Sequence, residues 1–162
     1  MQKIELMAPA GNFESLQAAL DNGCDSVYFG VEQLNMRARA SINFTLDDLE
    51  EISRRCSEKN VRTYLTLNTI IYDHDLSIVK TLIKRAKAAN ITAVIAMDQA
   101  VIAMARAEGM EVHISTQTNI TNIETVKFYA MFADTVVLSR ELSLRQVKKI
   151  TEQIEKEEIK GP

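Results

Sequence analysis

The sequence predicts an α/β fold of about six strand–helix units, and three observations predict it. Short apolar runs suited to strands alternate with stretches whose apolar residues recur at helical spacing. The first unit, IELMAPAGNFESLQAALDNGCDSVYFG from Ile4 to Gly30, is a complete strand–helix–strand crossover, the building unit of parallel sheets. Six such units in 162 residues take about 27 residues each, the pace of a (β/α)8 barrel whose eight units occupy about 250 residues. On that reading the chain forms an incomplete TIM-type barrel that lacks two units. An open parallel flavodoxin-like sheet of about five strands competes with it, and alternation alone does not separate the two.

The elements follow in order. Ile4 to Ala8 is the first strand, Pro9-Ala10-Gly11 breaks it, and Asn12 caps a helix with Phe13, Leu16, Ala19 and Leu20 on one face. Asn22-Gly23 stops that helix, and Val27-Tyr28-Phe29 is the second strand. Val31 to Asn43 is too long for a simple turn. Thr45 with Asp48 resembles a capping box for a helix striped by Leu46, Leu49, Ile52 and Cys56. Val61 to Asn68 is the third strand. Asp73 or Asp75 caps the next helix, with Leu76, Val79, Leu82, Ile83 and Ala86 inward and Asn90 at its end. Ala93 to Met97 is strand four, Gln99 to Ala107 an alanine-rich helix closed by Gly109, and Glu111 to Ser115 strand five. Thr121 with Glu124 reads as a capping box for a helix burying Val126, Tyr129 and Ala130; Thr135 to Leu138 is strand six. Ser143 with Gln146 caps the last helix, with Leu144, Val147, Ile150 and Ile154 inward.

Composition narrows the functional classes. With 46% hydrophobic and 25% charged residues, the chain has ordinary globular composition and room for one core, so a single domain over 1–162 is expected. A net charge of -3 provides no global basic field, so any RNA contact has to come from local patches. Cys24 and Cys56 are too few for a disulfide framework and lie far outside C-x-x-C spacing; they read as buried small residues that bind no metal. A reduced, cytoplasmic setting without membrane contact is expected, since no run reaches spanning length.

The opening APAGNFESLQAAL and NGCDSVYFG, followed by NMRARASINFTLDDL, STQTNITNIETVKFY and VVLSRELSLRQVKKI, resembles the collagenase-like U-32 peptidase family in the same order, from Ile4 to about Ile154. The resemblance favours the barrel over the open sheet. It implies an N-terminal barrel-type domain that stops before the family's cysteine-containing region, where a 4Fe-4S cluster is held. Family members hydroxylate RNA bases, in tRNA or rRNA, or a quinone precursor, with oxygen thought to come from prephenate rather than molecular oxygen. Others are called collagenase-like proteases.

In either architecture the working face lies at the carboxyl ends of the strands. The residues there are polar: Pro9 to Asn12, Gly30 to Asn43, Asn68, Asp98, Ser115-Thr116-Gln117 with Asn119, and Arg140-Glu141. Several are also explained as helix caps. Arg37 and Arg39 can hold a carboxylate or phosphate in paired hydrogen bonds, or else pair with Glu32, Asp47 or Asp48 and order their loop. Arg140 beside Glu141 fits a structural ion pair. His113, on the side of its strand that Ser115 shares, reads as a core histidine before a catalyst, and His74 as an exposed loop residue. If the resemblance holds, Arg37 and Arg39 bind substrate carboxylates while Asn68, Ser115, Gln117 and Arg140 line the cavity.

Three readings follow. The first is the N-terminal part of an RNA-base hydroxylation enzyme that uses prephenate and an iron–sulfur cluster. The second is a collagenase-like peptidase, although no G-x-S-x-G, H-E-x-x-H or serine–histidine–aspartate grouping is visible; P-loop and G-x-G-x-x-G patterns are absent too. The third is a non-catalytic scaffold. With two units missing, the first and last strands would be unprotected apolar edges, so self-association is also expected.

Overall fold

The computed structural model describes residues 4–31 and 44–162. Six parallel strands lie in sequential order: β1 (Met7–Pro9), β2 (Ser26–Phe29), β3 (Arg62–Leu67), β4 (Ala93–Ala96), β5 (Glu111–Ile114) and β6 (Thr135–Val136). A doubly wound sheet reverses its strand order, so the flavodoxin-like alternative falls, and the sheet is a curled half-barrel. The helices between strands are α1 (Phe13–Asp21), α2 (Leu49–Glu58), α3 (Leu76–Ala88), α4 (Gln99–Ala107) and α5 (Ile123–Ala130), with α6 (Leu144–Lys156) after β6.

The strand pattern sets which side chains face the helices. Val27, Phe29, Leu65, Leu67, Val94, Ala96, Val112 and Ile114 join one buried cluster with Leu16, Ile52, Val79, Ile83 and Val101 of the helices. Full burial of each large aliphatic group contributes about 1.5–3 kcal/mol. The alternate residues face the concave side, where Tyr28, Tyr64, Ala93 and Ile95 form a separate small cluster. Phe44, just past the second loop, packs edge-on against Phe13 (5.1 Å) and Phe29 (5.7 Å) and ties the chain after the loop to α1 and β2.

Several expectations are corrected. The first strand begins at Met7, not Ile4, because the Leu6 N–H is drawn to the Asp25 carboxylate (2.9 Å) while the Leu6 carbonyl accepts from Asp25 and Ser26. The cap of α5 is Asn122, not Thr121: its Oδ1 accepts from the Thr125 N–H (2.9 Å). Glu124 pairs instead with Lys127 (3.0 Å). Leu144 does not point inward; it is 89% exposed at the start of α6, whose fully buried contact is Ile150. β6 is only two residues long, and its apolar continuation contributes one isolated bridge, Ile120 to Leu138. The Asn12, Thr45–Asp48 and Ser143–Gln146 caps form as expected. So does burial of Cys24 and Cys56. Among the described residues no helix is long and apolar enough to cross a membrane.

Candidate functional site

The register brings every strand's carboxyl end to one rim. Leu67 pairs with Ala96, Ala96 with Ile114, and Ile114 with Val136. These face the helices, so the next residues, Asn68, Met97, Ser115 and Val137, form the uppermost row on the concave side. Two of the expected site residues, Asn68 and Ser115, therefore stand on one row with Met97 between them. Asn68 is half-buried and engaged within the chain.

Gln117 and Arg140 occupy neighbouring loops of the same rim. After β5 the chain makes a single 3-10 turn, Thr116–Thr118, built by Ser115. The buried Ser115 Oγ accepts from the Gln117 N–H (3.3 Å), and its carbonyl accepts from the Thr118 hydroxyl (2.8 Å). Asn119 closes the turn in the left-handed region at φ 52°, which Asn tolerates better than most residues. The Ile120–Leu138 bridge and the Ser139 N–H donating to the Ile120 carbonyl (2.9 Å) then clamp this turn to the loop carrying Arg140.

Arg140 is exposed and forms no ion pair among the described residues, contrary to the structural pairing expected with Glu141. Glu141 accepts instead from the Ser139 hydroxyl. That bond, aided by a backbone N–H and the Arg140 charge, holds the carboxyl below its ordinary value. Asn12 and Asp98, also on this rim, are committed as caps, to the Ser15 N–H (2.8 Å) and the Ala100 N–H (2.8 Å). Arg37 and Arg39 lie outside the described residues.

Sequence reasoning missed a second polar group deeper on the concave face. The Tyr64 hydroxyl donates to Glu5 Oε1 (2.6 Å), and Arg62 pairs with the other oxygen of that carboxylate. His113 packs its ring against Tyr64 at 4.6 Å and shares a hydrogen bond with Glu111 (2.8 Å). The register sets Ala93 between Tyr64 and Glu111 and Ile95 beside His113, so the two rings meet on a diagonal across β4. Tyr64 is 1% exposed and His113 7%; burial pushes the Tyr64 hydroxyl's pKa up. The alternation in Arg62-Thr63-Tyr64-Leu65-Thr66-Leu67 did carry this signal, since the first member of each pair, Arg62, Tyr64 and Thr66, faces away from the helices. The group lies toward the amino ends of the strands, where barrels place stabilising contacts rather than chemistry. It supports the core reading of His113.

Comparison with known proteins agrees with the geometry. Residues 11–160 match Peptidase family U32. The chain is 52% identical over 158 residues to a protein named collagenase from Porphyromonas gingivalis, covering 98% of this chain and 38% of that one. It is 31% identical over 157 residues to tRNA hydroxylation protein P1 of Bacillus subtilis, covering 95% and 37%. It therefore spans well under half the length of these curated relatives. The solved structure of the U32 peptidase Mk0906 superposes with a TM-score of 0.72 at 14% identity, covering 94% of this chain and 67% of that one; this likeness concerns the fold. A six-unit half-barrel with a polar rim, matched along nearly its whole length, makes this chain a member of peptidase family U32.

Proposed function

We propose that the chain is part of a longer enzyme that hydroxylates bases of tRNA or rRNA, and that its rim contributes to holding the base. The observation that supports this over peptide cleavage is how the candidate bases and nucleophiles are engaged. His113 pairs with Glu111, and His74 lies 3.6 Å from Asp75, so each histidine faces a carboxylate rather than a serine or cysteine. Burial pushes both thiols up, Cys56 to about 12, the opposite of an activated thiolate. Among the described residues the rim instead offers neutral amides and hydroxyls with the exposed guanidinium of Arg140, groups that suit a base edge and an anion. The relative named for tRNA hydroxylation supports the substrate class.

The 4Fe-4S cluster implied by the resemblance does not fit the residues of this chain. Such a cluster takes about four thiolates, whereas Cys24 and Cys56 are the only two cysteines and both lie protonated in the helix-side core. Cluster ligands would belong to the rest of the longer protein. Prephenate, a dicarboxylate, matches Arg140, whose guanidinium is exposed and has no ion-pair partner among the described residues; Arg37 and Arg39 remain proposed partners for its carboxylates.

Collagenase-like peptidase activity is the second reading, favoured by the name of the 52% identical relative. One experiment separates the readings. The gene is deleted, cellular RNA is digested to nucleosides, and hydroxylated nucleosides are followed by mass spectrometry while purified full-length protein is assayed on gelatin. Loss of a one-oxygen mass increment, restored by the gene, supports hydroxylation. Unchanged nucleosides with chelator-sensitive gelatin cleavage support the peptidase, and neither result leaves a scaffold.

A further inference from the structure

We infer that Gln117 reads the hydrogen-bonding edge of the bound base; this rests on the RNA reading above. Most neutral polar side chains on the rim are already committed. Asn12 and Asp98 cap helices, Ser115 and Thr118 build the turn, Ser139 binds Glu141, and Asn68 is engaged. Asn119 is exposed, so its amide is open to solvent. Gln117 differs from all of these. Its Oε1 is sheltered from solvent and accepts no hydrogen bond, although the residue as a whole is only half-buried.

A sheltered carbonyl without a donor is disfavoured, and folded chains leave few of them. The backbone here offers no relief, because the turn is fixed by Ser115 and Thr118, closed by Asn119, and clamped to the next loop by Ile120–Leu138. Only the side chain can move. The side-chain torsions are the freedom left to the amide, and a ligand seated against the turn can supply the donor that Oε1 lacks.

The chemistry of the amide says which ligand. A glutamine end group carries an acceptor and a donor side by side, and it pairs in two bonds with a ligand edge that presents a donor next to an acceptor. Nucleobases have such edges. A trans peptide group does not, because its N–H and C=O point in opposite directions. The same residue would thus discriminate among bases while phosphate contacts, which carry no sequence information, hold the strand.

The test uses full-length protein and labelled single-stranded RNAs identical except for one central base, with binding followed by anisotropy. Wild type should prefer one base by about 10- to 100-fold, the discrimination of a good two-bond pair. Gln117→Ala should reduce that preference to within about threefold, chiefly by weakening the preferred RNA. Gln117→Glu, which keeps the shape and loses the donor, should also abolish the preference and covers the case in which the alanine variant misfolds. Unchanged base preference in folded Gln117→Glu overturns the inference and leaves RNA binding intact. Absence of RNA binding by wild type overturns the RNA reading and this inference with it.

Discussion

The polar group on the concave face makes a stability prediction that can be worked from its contacts. Glu5→Ala removes the acceptor of the Tyr64 hydroxyl and the partner of Arg62. The Arg62–Glu5 pair is substantially exposed, so its loss costs about 0–1 kcal/mol. The Tyr64 hydroxyl is buried, and stripping its partner costs about 1–3 kcal/mol. Ser26 stands close enough to lower the Tyr64 pKa while making no well-formed hydrogen bond of its own, so it can take over in part and pull the cost toward the lower figure. In a Tyr64→Phe background the same substitution loses only the ion pair. The coupling in a double-mutant cycle should therefore be about 1–2 kcal/mol, measured by urea unfolding with unchanged slopes. At roughly 2–4 °C per kcal/mol for a chain of this size, Glu5→Ala alone lowers Tm by roughly 2–16 °C. Zero coupling would show that the hydroxyl bond contributes nothing and that the concave face is not organised by this group.

Three further outcomes follow from local geometry. Asn122→Ala should cost about 1 kcal/mol, as loss of an N-cap does, while Thr121→Ala should be near neutral in the same unfolding assay; the reverse order would restore Thr121 as the cap. Glu51 is held down to about 2 by hydrogen bonds from Arg54 and Arg55, below its ordinary 4.5. Its stabilising effect is thus present above pH 4.5 and lost as pH falls toward 2; a carboxyl NMR midpoint at its ordinary value would contradict this. Ile4, Leu6 and Met7 are exposed beside the edge of β1, which no other described strand pairs, so the 162-residue chain should self-associate in light scattering, and Leu6→Lys should shift it toward monomer. A monomeric mass at high concentration would show that the edge is protected.

Much of the fold was legible because parallel strands buried against helices carry strong local signals. Val94 and Ile95 between Asn90 and Asp98, or the stripe Val79, Leu82, Ile83 and Ala86, identify their elements with no knowledge of the partner. Strand order was not legible from alternation, and the resemblance supplied it. End effects were the failures. Thr121-Asn122 offers two caps in a row, and only backbone geometry selects Asn122. Leu144 continues the apolar spacing of α6 but sits on its first turn, past the last strand. The rim could be listed from strand ends, and it contains Asn68, Ser115, Gln117 and Arg140 as expected. Which of those side chains is uncommitted depends on contacts across several loops and had no sequence signal. Glu5, Arg62 and Glu111 were passed over because they lie scattered over more than a hundred residues and meet only when the sheet curls.

The most direct measurement is hydrogen exchange of the full-length protein with and without total tRNA from a strain lacking the gene. Binding at the carboxyl-end rim predicts slowed exchange in the turn from Ser115 to Asn119 and in the loop from Val137 to Glu141, with no change at Arg62 or Glu111. Protection confined to the deeper residues, or absent from the rim while RNA is bound, would contradict it.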